Sequence, residues 1–324
     1  QASFVKQSIG GVPGNTLLHE HVHPKLHGYS LIARTLAEQM DAVNLASDTW
    51  NWSAAKSDSA YLAQTRLTLL DHEIVSYTLF RLTSQWPFPA PTSEPIYKRI
   101  GTAQTEALAK LAVDENKSLV KVHLVYGHEQ HQNGNLDAAA REYKAALAIH
   151  PLALAYNRLG RVYLRKTEEL LKNQKNYTAA NASYQNGLYY FKEGLERWPD
   201  DVEMNFNLGL LYSLRQDETA AAVQHFLKVL DKEPQHKNAH RQLVHLYIRQ
   251  KKVETAKSAL QQAIDYFPTD ANFYTMLGIL YLQEQELKES KKWFEKAVQL
   301  GDHQNAKHYL QQVNLRLQNE PTAQ

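Results

Sequence analysis

The stretch that decides the fold is Asn205–Pro234, NFNLGLLYSLRQDETAAAVQHFLKVLDKEP, read beside Tyr274–Ala297, YTMLGILYLQEQELKESKKWFEKA. Both place a Leu-Gly pair (Leu208-Gly209, Leu277-Gly278) a few residues before a Tyr (Tyr212, Tyr281). Both then carry a Phe (Phe226, Phe294) in a second apolar-periodic run. The same spacing recurs upstream as Tyr126-Gly127, Ala139, Tyr143, Ala146 and Pro151, and as Tyr156, Leu159-Gly160, Tyr163, Phe191, Gly194 and Pro199. Between the two quoted copies it returns as Leu243, Tyr247, Ala256, Leu260, Ala263 and Pro268. Five copies of one small/large pattern predict paired antiparallel helices. Gly on the first helix and Ala on the second allow close approach, and Tyr, Leu and Phe fill the space between. A Pro beyond the second helix, which cannot continue it, opens the turn to the next unit. One such unit cannot bury its apolar face alone, so the units must stack.

This spacing resembles the tetratricopeptide repeat (TPR), a unit of about 34 residues. The expected fold is all-α: a TPR solenoid of about five repeats over residues 119–302. The second copy is about fifteen residues longer than the others between Tyr163 and Phe191. KTEELLKNQKNYTAANASYQNGLYYF reads there as extended helices. In the last segment, 303–324, Tyr309, Val313 and Leu317 fall at four-residue steps and predict a capping helix, which a stack needs over its final apolar face.

Composition excludes more than it selects. The 36 basic and 34 acidic residues nearly cancel, so nothing favours nucleic acid or an anionic membrane. The absence of cysteine removes disulfides, thiolate metal sites and a cysteine nucleophile. No apolar run is long enough to span a bilayer. The first residue is Gln1 rather than Met, which suggests a piece of a longer chain.

Residues 1–45 do not follow the repeat. Glu20-His21-Val22-His23-Pro24, then Gly28-Tyr29 and Ile32-Ala33, resemble the last block of the SGNH/GDSL hydrolases. The resemblance places His23 at the general-base position and Glu20 at the acidic orienting position. LTLLDHEIVSYTLFRLTSQWPF, Leu67–Phe88, is similar to the helical connector of bacterial proteins that join an SGNH-like domain to TPRs, and 46–118 is read as that connector. A Ser hydrolase needs nucleophile, oxyanion donors and base together, and the 22 residues before His23 hold no Gly-Asp-Ser turn. The segment is therefore expected to be a C-terminal remnant without catalysis of its own. Thr16–His21 also resembles the first metal-binding strand of phosphotriesterase-like amidohydrolases, in which His19 and His21 would share a metal. The helices that follow do not supply the strands that barrel needs. Solvated His19 and His27, with His23 hydrogen-bonded beside Glu20, are the simpler alternative. No cofactor and no metal are expected.

If the repeats stack, the first helix of each lines a groove. Counted from the Leu-Gly pair, its candidate residues are Lys121, Leu124, His128 and His131; Asn157, Arg161 and Arg165; Phe206 and Leu210; Arg241, His245 and Arg249; Ile279 and Leu282. Arg presents a planar fork that suits carboxylates. The expected partner is a protein or peptide offering acidic side chains or a free C-terminus, with one or two apolar anchors. Three functions follow: a protein-binding scaffold; the accessory half of an SGNH-type esterase acting on acylated saccharides; and a metal-dependent hydrolase built on His19 and His21. The SGNH resemblance implies a bacterial envelope location.

Overall fold

The computed structural model describes residues 18–19, 23–24, 67–83, 97–172, 176–301 and 303–318. Among these are thirteen helices and one pair of two-residue strands, β1 (Leu18–His19) and β2 (His23–Pro24). β1 and β2 are antiparallel, with His19 opposite His23. Glu20, His21, His27 and the rest of the expected remnant lie outside the described residues. The chain divides into two units, one of residues 1–126 with 144–149 and the other of residues 127–143 with 150–324.

The first unit contains α1 (Leu69–Thr83) and α2 (Ala103–Val113), and the opening turns of α3 (Leu119–Gln132). Its core is Leu70, Leu108, Val122 and Tyr126, with Ile74, Leu111 and Ala112 packed against it. On α1, Leu70, Ile74 and Tyr77 face inward, whereas Leu67, just ahead of the helix, is exposed. Glu73 is fully buried on α1. It accepts from the Tyr97 hydroxyl, the backbone N–H groups of Ile100 and Gly101, and the Thr105 hydroxyl. Burial alone would raise its pKa, but these donors outweigh it and hold the carboxyl below its usual range. The carboxylate thus ties α1 to the chain entering α2, whose first turn is closed by a Thr102–Thr105 capping box. A second tie joins buried His123 to Asp71, Nε2 to Oδ1 at 3.2 Å.

The second unit takes up the chain within α3 and leaves and rejoins it around α4 (Leu136–Ile149). Four helix pairs follow: α5 (Ala153–Lys172) with α6 (Tyr177–Arg197), α7 (Val202–Ser213) with α8 (Thr219–Lys232), α9 (Lys237–Arg249) with α10 (Val253–Tyr266), and α11 (Ala271–Gln283) with α12 (Leu287–Gln299). α13 (Gln304–Gln318) covers the last pair, burying Ala306 and Val313. α5 and α6 run to 20 and 21 residues, where helices α7 to α12 have 12 to 14, so the long second copy is spent on extending both partners.

The glycines explain the close approach. A methyl added to Gly209 would stand 2.8 Å from the Phe226 ring, and on Gly278 it would stand 2.7 Å from Phe294. Gly127 meets Tyr143 and Gly160 meets Phe191 in the same way. The third pair is different: Val244 takes the glycine position and Leu260 the aromatic one, both fully buried in one cluster. The added side chain on one helix is matched by a smaller one on the other, as fixed interior volume requires.

The inter-repeat turns repeat a second device. Asp201, His236 and Asp270, each two residues after a Pro, cap the N-termini of α7, α9 and α11. One turn into those helices, Asn205, His240 and Tyr274 each bond the carbonyl of that Pro, at 3.0, 2.8 and 3.0 Å. Three unlike side chains do one task because each carries an N–H or O–H at the needed reach.

Candidate functional site

On the first helix of each copy in the second unit, the residue directly after the Leu-Gly position forms one row: His128, Arg161, Leu210, His245, Ile279. His128, Arg161 and His245 are exposed, while Leu210 and Ile279 are half-buried. The row reads basic, basic, apolar, basic, apolar. It remains accessible because the glycine beside it faces the second helix, and the next position along turns away from that contact.

The row four residues earlier behaves otherwise. Leu124 and Asn157, expected on the groove, are buried. Asn157 instead accepts from Nδ2 of Asn207 at 2.8 Å, an amide pair that joins α5 to α7. Leu124 lies in the first unit, as does exposed Lys121. Phe206 is half-buried, its ring 5.6 Å from Phe226 and 4.7 Å from His236. Only Arg241 of this row is an exposed charge.

Nor are Arg165 and Arg249 free groove donors. Arg165 Nη1 donates to the His131 carbonyl at 3.1 Å, and its Nε to Glu169 at 2.9 Å. Arg249 Nη1 donates to the Ser213 carbonyl at 2.7 Å, and its Nη2 to Thr219 Oγ1 at 2.9 Å. In both, a cation sits on the carbonyl end of the preceding first helix, where the helix dipole favours it. These arginines clamp successive repeats. Leu282 is half-buried.

The electrostatics concentrate at two places. At α3–α5, half-buried His131 is pulled down to about 4, by burial first and then by Arg161, Arg165, His128 and Arg158. Near the same arginines the Tyr143 ring is fully buried, and burial pushes its hydroxyl up to about 12 against the opposing pull of Arg158 and Arg161. The second place is a cleft of about 410 Å³ between α9, α11 and α13. Arg241, His245, Met276, Ile279, Asn305 and Tyr309 line it, and the Lys237–Asp270 ion pair at 2.5 Å stands at its edge. Burial, then Arg241, lowers the pKa of His245. Arg161 and Arg241 pair with no carboxylate among the described residues; Arg241 donates only to Asn238, at 2.8 Å.

Sequence reasoning missed Met276, Asn305 and Tyr309. Tyr309 was legible: it lies 34 residues beyond Thr275 and 68 beyond Arg241, so extending the repeat register into the capping helix reaches it. Its ring also stacks on Phe294 at 5.4 Å, so it serves core and cleft together. Among the described residues, no three His, Asp or Glu side chains could hold a metal, and no helix is long and apolar enough to cross a membrane.

Residues 169–237 and 241–313 match a family whose description is "Tetratricopeptide repeat". No curated protein matches the chain. Among solved structures it is similar to YrrB, "a TPR protein with an unusual peptide-binding site", with 17% identity and a TM-score of 0.46, covering 64% of this chain and 98% of that one. It is similar to MamA from Desulfovibrio magneticus with 17% identity and a TM-score of 0.46 over 57% and 96%. It is similar to a thermophilic TPR protein of Thermus thermophilus with 18% identity and a TM-score of 0.40 over 60% and 99%. The two matched segments, 169–237 and 241–313, are the part of the chain that carries tetratricopeptide repeats, and they lie within the succession of helix pairs.

Proposed function

We propose that these repeats are a protein-binding scaffold, and that the first-helix face of the second unit receives an extended acidic segment carrying apolar anchors. The observation that supports this most directly is the unneutralised pair Arg161 and Arg241, with Leu210 between them and Ile279 beyond. An extended chain spanning these helices would set carboxylates against the two guanidinium forks and apolar side chains against Leu210 and the cleft wall. After burial, which leads the lowering of the His131 pKa, the further lowering by Arg161, Arg165 and Arg158 marks a concentration of positive charge that suits the same sign of partner.

Charge reversal tests the reading. Arg161→Glu with Arg241→Glu should weaken binding of an acidic, leucine-containing peptide about tenfold at low salt, the size of one to two exposed charge pairs. The melting temperature should hold, because neither residue bridges repeats. Unchanged affinity by fluorescence anisotropy would remove the face from the function. The esterase-linked reading rests on the resemblance at Glu20, outside the described residues, and at His23, on β2; turnover of a short acyl ester by the chain is its test.

A further inference from the structure

On another surface of the second unit, α6, α7 and α8 enclose a notch of about 280 Å³. Its floor is Leu195, Pro199 and Leu208, and around it stand Lys192, Glu196, Asn205, His225 and Lys228. Asn205 is buried and its amide is fully committed: Nδ2 donates to the carbonyls of Pro199 at 3.0 Å and Asp201 at 2.9 Å. Its Oδ1 must therefore accept, and it lies 2.9 Å from Nδ1 of His225. That contact fixes the tautomer, with hydrogen on Nδ1 and the lone pair on Nε2. The ring is held from its face as well, by Tyr212 at 5.6 Å, and Lys192 Nζ lies 6.0 Å from that same tyrosine ring. Lys192 and Lys228 are exposed, and neither pairs with a carboxylate among the described residues.

We propose that this notch is a second anion site, independent of the first-helix face, and that it takes a carboxylate on an aliphatic stem: the glutamate side chain of a protein partner. The two ammonium groups supply the charge complement, and the Leu195–Pro199–Leu208 floor takes the methylenes. A bare inorganic anion would leave that floor wet.

Binding is linked to a proton. In the free protein His225 is pulled down to about 4, by burial first and then by Lys228 and Lys192. α6 presents Lys192 and Glu196 to the notch, α8 presents Lys228, and α7 contributes Asn205 and Leu208, with the Tyr212 ring against the imidazole. An adjoining hollow shares Lys228 and adds Asp200, Asp231 and Lys232, of which Asp200 and Lys232 pair at 3.1 Å. A carboxylate between the two lysines cancels the repulsion they exert on the ring. Burial still opposes the charged ring, so the imidazole takes a proton from solvent on Nε2, and donates it to the bound oxygen, only below the pKa that the carboxylate has raised. Glu196 works against the anion and sets the affinity low.

The test follows the His225 imidazole by carbon-13 NMR, its resonance assigned by its loss in His225→Gln. The probe is acetyl-Leu-Glu-Leu-amide, whose only charge is the side chain, with the Gln peptide as neutral control and sodium phosphate as the free-anion arm. The Glu peptide should raise the apparent pKa of His225 by at least one unit at constant ionic strength, and the Gln peptide should not. Lys192→Gln with Lys228→Gln should abolish the shift, and Glu196→Gln should tighten binding about threefold. The shift should persist in Arg161→Glu/Arg241→Glu, which separates this site from the first-helix face. No shift with the Glu peptide, an equal shift with the Gln peptide, retention in the double lysine variant, or a response to phosphate alone would each overturn the assignment.

Discussion

At the scale of single residues, the contact between a bare backbone and an aromatic ring sets how near the two helices of a pair can lie. Gly209→Ala forces its methyl toward Phe226, with 2.8 Å between them before relaxation. Overpacking of this kind costs about 1–3 kcal/mol, readable by urea unfolding. Adding Phe226→Leu, the solution already present at Val244 and Leu260, should make the double variant lose less than the sum of the singles; strict additivity would show that ring and glycine do not share one space. The small-to-large rule was legible in the sequence, because Gly, Ala and Phe recur in register. Which polar residues were sealed was not. Asn157 has the spacing of a groove residue, and only a partner amide fifty residues later in the chain, Asn207, decides that it is core.

At the scale of elements, the turns inside repeats carry a residue in the left-handed region: Gly134 at φ 79°, Lys251 at 58° and Gln285 at 64°. A side chain in that conformation costs about 1–2 kcal/mol, of which glycine's greater freedom in the unfolded chain takes back part. Gln285→Gly should therefore raise stability by roughly 0.5–1 kcal/mol, seen as a higher melting temperature; a drop would mean the Gln285 side chain holds the turn. The same scale shows what sequence patterns capture. Helix pairs, the long second copy and the capping helix were all readable from periodicity, which depends on neighbours three and four residues away. The clamping role of Arg165 and Arg249 was not, because an arginine on a helix face reads alike whether its guanidinium meets solvent or the carbonyl end of another helix.

Over the whole molecule, protonation links the two candidate sites to stability. His131 and His225 titrate near 4 in the folded chain and near 6.5 unfolded, burial being the leading cause in each. Between those values the unfolded chain binds more protons, so stability is fully present above pH 6.5 and is lost as pH falls toward 4. Discounted for the part of each ring that water reaches, the loss is about 1–2 kcal/mol per histidine. Unfolding free energies measured from pH 7 to 4 should fall, and His131→Gln with His225→Gln should flatten that slope. The lowered carboxyls of Asp71, Glu73 and Asp270 act in the same direction but at more acid pH, so they leave the slope above pH 5 to the imidazoles.

The exchange of Gly and Phe for Val244 and Leu260 has a consequence for how such an array can be inherited. Copying the helix that bears Leu260 opposite a glycine would open a hole, and copying one that bears Phe opposite Val244 would make a collision. Recombination can therefore cut this gene safely between whole hairpins but not within that one, whose two halves must travel as a couple.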